Sequence, residues 1–366
     1  MTDEKKYWIG FNLVRGIGSV RFQQIRSFFG DLSIAWQAPP DAFQQVGLPA
    51  RALSNFLKMR QEIDLEKVYE SILASGVTVL TLLDQDYPDL LKEIDQSPPV
   101  IYVRGTLTPA DAFAVAVVGT RKVSDYGQQV ARDTCTFLAG QGLTIVSGLA
   151  RGVDALAHQN ALKAGGRTIA VLGSGVDVIY PPEHRKLASA IIENGALISD
   201  YPLGTQPEGV NFPPRNRIIS GLSLATIVIE AGDRSGALIT ADFALEQGRE
   251  VFAVPGNVLS PMSRGTNRLI QNGAYAMVSP QDVLDVLDLT QIDAKKDARQ
   301  LLPKDEIEAK IIQVINYQPM HIDEICNQAG LPVEKVSAAL TLMELKGMIQ
   351  HVGGMRYASI QDMTRK

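Results

Sequence analysis

The sequence predicts an α/β protein with an extended Rossmann-like, doubly wound parallel sheet, a helical N-terminal domain and a C-terminal winged-helix domain. From Phe113 onward, short apolar runs alternate with glycine-rich turns and helical segments. Runs such as Ala114–Val118 are apolar at every position, which is typical of parallel strands buried on both faces. This alternation predicts helices on both faces of the sheet and a binding site at the carboxyl ends of its strands.

The boundaries of these elements follow from the apolar runs and the turns between them. The expected strands of the sheet are 114–118, 144–146, 168–172, 196–198, 225–229 and 251–254. The expected helices lie around 127–140, 152–164, 183–194, 216–222 and 236–247. We divide the chain into an N-terminal helical domain (1–65), a connecting segment (66–110), a Rossmann-like domain (111–288), a linker (289–305) and a winged-helix domain (306–360).

The amino-acid composition limits the classes of protein to which this chain can belong. The 366 residues are 45% hydrophobic and 20% charged, which fits a globular protein of two or three domains with a sizeable core. The net charge of −5 argues against a generally basic nucleic-acid-coating protein but is compatible with a local basic groove. Two distant cysteines without a CxxC spacing predict no disulfide framework and a reducing cytoplasm. No signal region and no apolar run of membrane-spanning length is recognised.

The N-terminal domain contains two short glycine turns. Gly16-Ile17-Gly18 precedes a helical pattern, and a looser copy lies at Val46–Pro49. Two such turns resemble a helix-hairpin-helix (SAM-like) pair, whose turn amides can approach a DNA phosphate. A compact helical bundle with glycine turns explains them equally well. In the connecting segment, 97–105 is expected to be an extended edge segment because it contains Pro98 and Pro99.

The carboxyl ends of the predicted strands carry small and polar residues. These stretches are Gly119–Lys122, Ser147–Asp154, Gly173–Pro181 and Glu230–Ala237. Small residues let backbone amides approach a ligand, and helix N-termini favour anions. Four such loops in one sheet are more than turns require, so we predict anion or phosphate binding along this edge.

The segment Phe212–Ser223 combines aromatic, proline and arginine residues. Pro213 and Pro214 are expected to hold the chain extended, so that a helix starting after them projects Arg215, Asn216 and Arg217 together. Guanidinium groups bind phosphate with bidentate, charge-assisted hydrogen bonds, and an aromatic ring next to them offers a stacking face for a base. The alternative is a helix cap in which the arginines pair with carboxylates inside the protein.

Known catalytic and cofactor patterns are missing from the sequence. Gly173-Ser174-Gly175 lacks the third glycine of a dinucleotide fingerprint, and there is no GxxxxGK[ST] loop. The histidines have no metal-ligand spacing, and no G-x-S-x-G elbow occurs. We therefore predict no catalytic residues, no metal and no cofactor.

The C-terminal pattern is that of a winged helix. Three helices are expected at 307–316, 322–329 and 333–346, followed by strands at 348–351 and 355–358 around Gly353-Gly354. A DNA-reading winged helix normally carries a basic recognition helix, whereas the third helix contains Glu334, Lys335, Glu344 and Lys346. This favours protein contact or regulation over sequence-specific DNA reading.

Several of these motifs, in this order, resemble the DprA/Smf family of bacterial DNA-processing proteins. They are Gly119–Arg121, Ser147–Asp154, Phe212–Ser223, Glu230–Ala241 and Ser263–Asn267. The resemblance covers the whole α/β domain. It implies a dimer that binds single-stranded DNA without sequence preference, protects incoming strands and loads the RecA recombinase onto them.

The resemblance also implies roles for individual residues. Arg121 is expected to bind a backbone phosphate, Arg215 and Arg217 to line the same pocket, and Phe212 to stack on a base. Ser147, Gly148, Ser174 and Gly175 are expected to supply amides or hydroxyls. The complete set of expected DNA-binding residues is Gly119, Thr120, Arg121, Ser147, Gly148, Arg151, Gly173, Ser174, Gly175, Phe212, Arg215, Asn216, Arg217, Ser235 and Gly236.

Two other classes of function compete with this hypothesis. The sheet and its phosphate-ready loops also resemble the lysine-decarboxylase-like phosphoribohydrolases, enzymes that act on nucleotides. Those carry a P-G-G-x-G-T-x-x-E stretch, which Glu230–Gly236 does not reproduce. An interaction scaffold working through its winged helix is the third class. The hypothesis we carry forward is a cytoplasmic, non-catalytic, single-stranded-DNA-binding recombination mediator.

Overall fold

The computed structural model describes residues 2–289, 306–315, 319–345 and 349–359. The chain forms two compact units, Met1–Asp288 and Leu289–Lys366. Apart from Leu289, the predicted linker 289–305 lies outside the described residues. Among the helices described, none is both long and apolar enough to span a bilayer.

Six helices open the first unit. They are α1 (Thr2–Leu13), α2 (Ser19–Phe29), α3 (Leu32–Gln37), α4 (Pro40–Gln45), α5 (Ala50–Glu62) and α6 (Leu65–Ala74). Their core is aromatic: the rings of Phe11 and Phe56 stack at 5.1 Å, and Trp36 meets both edge-on. The two predicted glycine turns lie between helices as expected, with positive φ at Gly16 (101°) and Gly47 (76°), a conformation that favours glycine.

A nine-stranded sheet forms the centre of this unit. Its strands are β1 (Thr78–Thr81), β2 (Val100–Gly105), β3 (Ala114–Val118), β4 (Thr144–Ser147), β5 (Thr168–Val171), β6 (Gly195–Ser199), β7 (Ala225–Val228), β8 (Glu250–Ala253) and β9 (Tyr275–Ala276). The order across the sheet is β1-β2-β6-β5-β4-β3-β7-β8-β9. The strands from β6 to β9 are all parallel, which confirms the predicted Rossmann-like sheet.

The expectation of an edge segment at 97–105 is wrong. The strand β2 lies between β1 and β6 and pairs antiparallel with both. Val100–Val103 is buried throughout, because its apolar side chains cover both faces of the sheet while Pro98 and Pro99 stay outside the strand. One core is continuous across the predicted boundaries at residues 65 and 110, so those boundaries stay predictions.

Eight helices connect or flank these strands. They are α7 (Asp89–Lys92), α8 (Asp125–Gly140), α9 (Val153–Lys163), α10 (Arg185–Glu193), α11 (Phe212–Gly221), α12 (Gly236–Glu246), α13 (Arg264–Gln271) and α14 (Gln281–Val286). The prediction that the proline pair holds the chain extended is wrong, because α11 begins at Phe212. Pro213 and Pro214 occupy its first turn, where the amide they lack would have no helical partner.

The second unit is a winged helix, as predicted. It contains α15 (Glu306–Val314), α16 (Ile322–Ala329), α17 (Val333–Leu345), β10 (Met320–His321), β11 (Ile349–His351) and β12 (Arg356–Ser359). The strands form a sheet in the order β10-β12-β11, and Gly353 and Gly354 turn between the wing strands with positive φ. On α17, Glu334, Lys335 and Glu344 are exposed, so its solvent face has mixed charge.

Candidate nucleic-acid interface

The strand order brings four loops to one edge of the sheet. Strand β3 is central, with β4 and β5 on one side and β7 on the other. Since these strands are parallel, their carboxyl ends meet, and the crevice of a doubly wound sheet opens where the chain reverses direction across the sheet, here between β3 and β7. We call the loops 119–124, 148–152, 172–181 and 229–235, together with the first turn of α11, the rim.

The first rim loop is held by its neighbours. The amide of Thr120 donates to the carbonyl of Glu230 (2.8 Å), and the carbonyl of Thr120 accepts from the amide of Val153 (3.2 Å). A Cβ at Gly119 would lie 2.6 Å from Cγ2 of Val153, so only glycine fits there. The loop therefore presents Arg121 from a fixed backbone. Its side chain is exposed, and within the described residues its guanidinium has no hydrogen-bond or ion-pair partner.

The second rim loop is closed around a buried carboxylate. Asp154 accepts from the amides of Gly148 (3.2 Å) and Ala150 (3.3 Å), and the hydroxyl of Ser147 donates to the carbonyl of Val117 (2.7 Å). A Cβ at Gly152 would overlap the carbonyl oxygen of Thr120. The donors of Ser147 and Gly148, expected to face a ligand, therefore already have partners inside the fold.

Arg215 fastens α11 to this loop. Its side chain is buried, and Nη1 donates to the carbonyl oxygens of Gly148 (2.9 Å) and Val171. These carbonyls lie at the carboxyl ends of β4 and β5, so one guanidinium joins two strands to α11. Burial lowers the pKa of Arg215 to about 10, against the attraction of Asp154. The group is therefore charged at neutral pH and positioned under the rim.

Arg217 has different partners, which corrects the expectation that both arginines line one phosphate pocket. Its Nη2 pairs with Oδ2 of Asp200 at 2.6 Å, and Nη1 donates to the carbonyl of Gln96. Its side chain is buried like that of Arg215, and it meets other partners because residues two apart on a helix point in different directions. The alternative of pairing with a carboxylate inside the protein is what the structure has at Arg217.

Phe212 lies on the rim as half of an aromatic pair. Its ring is 5.7 Å from that of Tyr180 and 5.8 Å from the guanidinium carbon of Arg215. A Cβ at Gly173 would approach Cδ1 of Phe212 to 2.8 Å, so this glycine makes room for the ring. Phe212 is half-buried and Tyr180 is 39% exposed, which leaves an aromatic surface open to solvent.

The remaining predicted residues mostly support the rim. The hydroxyl of Ser174 donates to the carbonyl of Val178, and the amide of Gly175 donates to the carbonyl of Thr205. The Asn216 side chain donates to the carbonyl of Gly236 (3.3 Å), and the Ser235 hydroxyl caps α12 by accepting from Ala237. These contacts assign them structural roles in the unliganded protein, and any contact with DNA stays a prediction.

Exposed positive charge collects on the rim loops. Arg151 forms an exposed ion pair with Glu183 at 2.6 Å. Lys122 and Arg234 are exposed and, like Arg121, have no side-chain partner among the described residues. The sequence prediction omitted Lys122 and Arg234. The sequence could have indicated both residues, because Lys122 lies in the same short loop as Gly119 and Arg234 lies next to Ser235. Three exposed cationic side chains without a described partner, Arg121, Lys122 and Arg234, therefore lie on the rim of a protein with a net charge of −5, and the exposed carboxylate of Asp233 lies beside the last of them.

The carboxylates of the fourth rim loop are engaged by neighbouring residues. Of the two acidic residues in the fourth loop, Asp233 is exposed and pairs with Arg264 at 3.8 Å, whereas Glu230 is buried and accepts from the amide (2.9 Å) and the hydroxyl (2.5 Å) of Ser124 at the start of α8. Glu230 therefore holds Ser124, the residue whose hydroxyl caps α8 by accepting from the amide of Gly127. Within the described residues, no group of three His, Cys, Asp or Glu side chains is placed to hold a metal.

A buried histidine lies beneath the rim. Thr168 donates its hydroxyl to the carbonyl of Ile145 (2.6 Å), so the 2.7 Å contact with Nδ1 of His158 requires that Nδ1 carries the proton. Nε2 is buried without a hydrogen-bond partner among the described residues. Burial, with the positive charge of His184 and Arg215, lowers the pKa of His158 to about 3.

This histidine predicts acid sensitivity. Below its unfolded pKa near 6.5, His158 binds a proton in the unfolded chain but not in the folded one. It therefore removes about 1.4 kcal/mol of stability per pH unit as the pH falls toward its folded pKa. Urea unfolding over this range should show a steeper loss of stability with falling pH in the wild type than in His158→Asn, whose amide nitrogen takes the place of Nδ1 and can still donate to Thr168. Equal slopes would contradict the assignment.

Comparison with known proteins shows which family has this architecture. A model of the family "DNA recombination-mediator protein A" matches residues 78–288, and a model of the DprA winged helix domain matches residues 295–355. The chain belongs to the DprA/Smf family. The first match contains the whole rim, and the second contains the winged helix up to the start of its last strand, β12.

Individual members of the DprA/Smf family align over most of the chain. Protein Smf of Synechocystis is 35% identical over 97% of this chain and 99% of its own length. DprA of Streptococcus pneumoniae is 45% identical over 56% of this chain and 72% of its own. The crystal structure of that DprA superposes with a TM-score of 0.68 at 36% identity, covering 76% of this chain and 97% of the other.

A further DprA structure comes from Helicobacter pylori and was reported for its single-stranded-DNA-binding mode. It has 30% identity and a TM-score of 0.52, and it covers 58% of this chain and 95% of that one. The fold and the family are therefore those that the sequence motifs indicated, and the family is one of DNA-processing proteins.

Proposed function

We propose that this DprA/Smf protein binds single-stranded DNA along the rim through its phosphate backbone and without sequence preference. The observation that carries the proposal is the unpartnered, exposed guanidinium of Arg121, within the described residues, on the same edge as the half-open aromatic pair of Phe212 and Tyr180. Arg215 connects the two features, since its pKa responds to the charge of Arg121 and its guanidinium lies 5.8 Å from the Phe212 ring.

The chemistry of the rim favours a single strand over a duplex. Arg121, Lys122 and Arg234 supply charge for phosphates, which carries no sequence information. A ring that stacks on a base requires that base to be unpaired and turned outward, and stacking tolerates every base. The named binding mode of the Helicobacter pylori relative is consistent with this proposal.

Phe212 provides a direct test of stacking. Phe212→Ala should weaken binding to an oligodeoxythymidylate about tenfold, since one stacked base contributes roughly 1–3 kcal/mol. Phe212→Tyr keeps the aromatic face and should bind like the wild type. Fluorescence anisotropy with both variants measures the difference. If the two bind equally, the base does not stack on this ring.

The binding serves recombination in this proposal. A protein that covers single strands along their phosphates protects them, and the family description as a recombination mediator supports delivery of the strand to the RecA recombinase, as in natural transformation. The assay is RecA filament formation on DNA already covered by single-strand-binding protein. The wild type should accelerate filament formation and Arg121→Ala should not. No acceleration by the wild type would remove the mediator role.

We further propose a homodimer in the cytoplasm. The outer strand β9 has a free edge, with Tyr275 45% exposed and Val278, two residues beyond it, 84% exposed. Exposed apolar side chains that lie close together mark a surface that a second copy of the chain can cover. Both cysteines are free, as expected for a reducing compartment. Sedimentation equilibrium should give twice the monomer mass of 39.7 kDa, and a monomer at all concentrations would contradict the dimer.

The protein acts without catalysis in this proposal. The competing hypothesis of a nucleotide-hydrolysing enzyme needs a free carboxylate among the phosphate-binding loops. Glu230 is instead engaged by Ser124, Asp177 by the amide of Gly204 and Asp233 by Arg264. Incubation with nucleoside monophosphates should therefore release no free base. Release of base that depends on Glu230 would restore the enzyme hypothesis.

A further inference from the structure

A cleft of about 510 Å³ lies next to the third rim loop. It is bounded by one face of α10, by residues 177–179 of the rim loop and by β2, and its lining includes Arg104 and Arg185. A volume of this size accommodates a small ligand. The cleft is separate from the Arg121 and Phe212 surface, but shares with it the loop that starts at Gly173.

The two arginines of the cleft have no partners in the described chain. Arg104 is half-buried on β2 and Arg185 is exposed at the start of α10, and neither guanidinium makes an ion pair or hydrogen bond with a described residue. By contrast, the half-buried or buried Arg167, Arg217 and Arg249 each pair with a carboxylate. A partly buried cation without a partner is costly, so an anion in this cleft would relieve that cost.

The one acidic residue of the lining, Asp177, is not the anionic partner of the two arginines. Both carboxylate oxygens of Asp177 accept from the amide of Gly204, at 2.9 and 3.0 Å, and among the described residues no ion pair joins Asp177 to either arginine. The two guanidiniums and this single carboxylate give the lining a net charge of +1. The cleft is therefore suited to a phosphate group held by two guanidiniums.

The other wall of the cleft is apolar. Val178 and Ile179 come from the rim loop, and Ala188 and Ile192 come from α10. A phosphate site with an apolar wall beside it matches a nucleotide, whose sugar and base follow its phosphate, better than a bare inorganic ion. Ile179 lines the cleft, and the next residue, Tyr180, belongs to the aromatic pair of the rim, so the cleft begins one residue away from that pair.

We propose that the Arg104–Arg185 cleft binds a nucleotide phosphate, namely a second phosphate position on the path of the bound strand. This inference rests on the proposed function of the rim and extends the path beyond it. The same chemistry would accept a free nucleoside monophosphate, so the experiment includes a separate arm for that source.

The test uses the full chain with both arginines changed, Arg104→Gln with Arg185→Gln, against a control at a neighbouring charge. Lys186→Gln removes an adjacent exposed charge that does not line the cleft. Anisotropy is measured with a short oligodeoxythymidylate that spans only the Arg121 and Phe212 surface and with a longer one, over a salt series. Calorimetry with thymidine 5′-monophosphate forms the second arm, and thermal melting verifies that each variant is folded.

The double variant should bind the longer strand about tenfold more weakly than the wild type does, and its affinity for the short strand should stay unchanged. The Lys186→Gln control should bind both strands like the wild type. Its salt dependence should flatten by about 0.7 in log–log slope for each phosphate that no longer binds a guanidinium. Loss of thymidine monophosphate binding with unchanged strand binding would assign the cleft to a free nucleotide and overturn its place on the path of the strand.

Wild-type behaviour of the double variant in both arms overturns the proposal, even if the wild type binds single strands strongly. A wild type with no preference for single strands overturns the proposed function of the rim instead. In that case the thymidine monophosphate arm alone decides whether the cleft binds a nucleotide.

Discussion

Arg215→Ala should destabilise the protein by roughly 3–5 kcal/mol, the usual cost of removing one member of a buried charged network. The substitution leaves the carbonyls of Gly148 and Val171 without their donor. It also leaves the buried carboxylate of Asp154 without a nearby positive charge. Because each of these groups is out of contact with water, the loss is much larger than that of a surface arginine. Urea unfolding followed by circular dichroism measures it.

Arg234→Ala is the matched control for this prediction. It removes the same side chain from the same edge of the sheet, but from an exposed position without a described partner. Its unfolding free energy should stay within about 0.5 kcal/mol of the wild type. Arg215→Lys should lie between the two, since its ammonium keeps the charge but ends one bond short of the position from which Nη1 donates to both carbonyls. Equal stabilities for Arg215→Ala and Arg234→Ala would show that Arg215 does not fasten α11.

Arg121→Ala should weaken single-stranded-DNA binding by roughly 1.5–3 kcal/mol, about 10- to 100-fold. The reason is that its guanidinium is presented by a rigid loop, exposed, and not engaged by any described carboxylate. The stability of the protein should not change, because the side chain has no described partner to lose. Anisotropy titration at fixed salt, with unfolding measured in parallel, separates the two effects.

Lys163→Ala provides the control for Arg121. This lysine is exposed in the last turn of α9, and that end of the helix faces the opposite edge of the sheet. Removing it changes the net charge by the same amount but should leave strand binding unchanged at physiological salt, where charges beyond about 8 Å are screened. Equal loss in both variants would mean that DNA responds to overall charge and not to the rim.

The inner strands could be predicted from sequence because each is buried on both faces. A run such as Ala114–Val118 is apolar at every position, which indicates a buried strand, and Gly119 after it marks the turn. The strand β2 is harder to place from sequence. Its apolar run follows a proline pair, which favours an edge, whereas the prolines end just before the first paired residue, Val100.

The directions of the arginines could not be read from composition. The pattern around Pro213 and Pro214 predicts a delayed helix, although the first turn of a helix tolerates proline. With α11 starting at Phe212, residues 215 and 217 are separated by about 200° around its axis. Because of this angle, Arg215 contacts the second rim loop at Gly148 and Arg217 pairs with Asp200. Which carbonyls and carboxylates they meet depends on loops distant in sequence.

Two rim residues were singled out from sequence by the resemblance to the family, and their contact with DNA stays a prediction. The exposed Arg121 and the aromatic Phe212 come from motifs whose order along the chain indicated the family. The donors of Ser147 and Gly148 are expected from sequence to face a ligand because they follow a strand end. They are used instead by Val117 and Asp154, since a tight loop near the sheet satisfies its own buried groups first.

Binding of single strands through their phosphates along the rim can be tested with one titration. The affinity of the full chain for a labelled strand and for the duplex of the same sequence is measured across a salt series. We expect tighter binding of the single strand at every salt concentration, with an affinity that falls linearly in log–log form as salt rises. Equal affinity for strand and duplex, or single-strand binding independent of salt, would contradict binding at the rim by phosphate contacts and stacking.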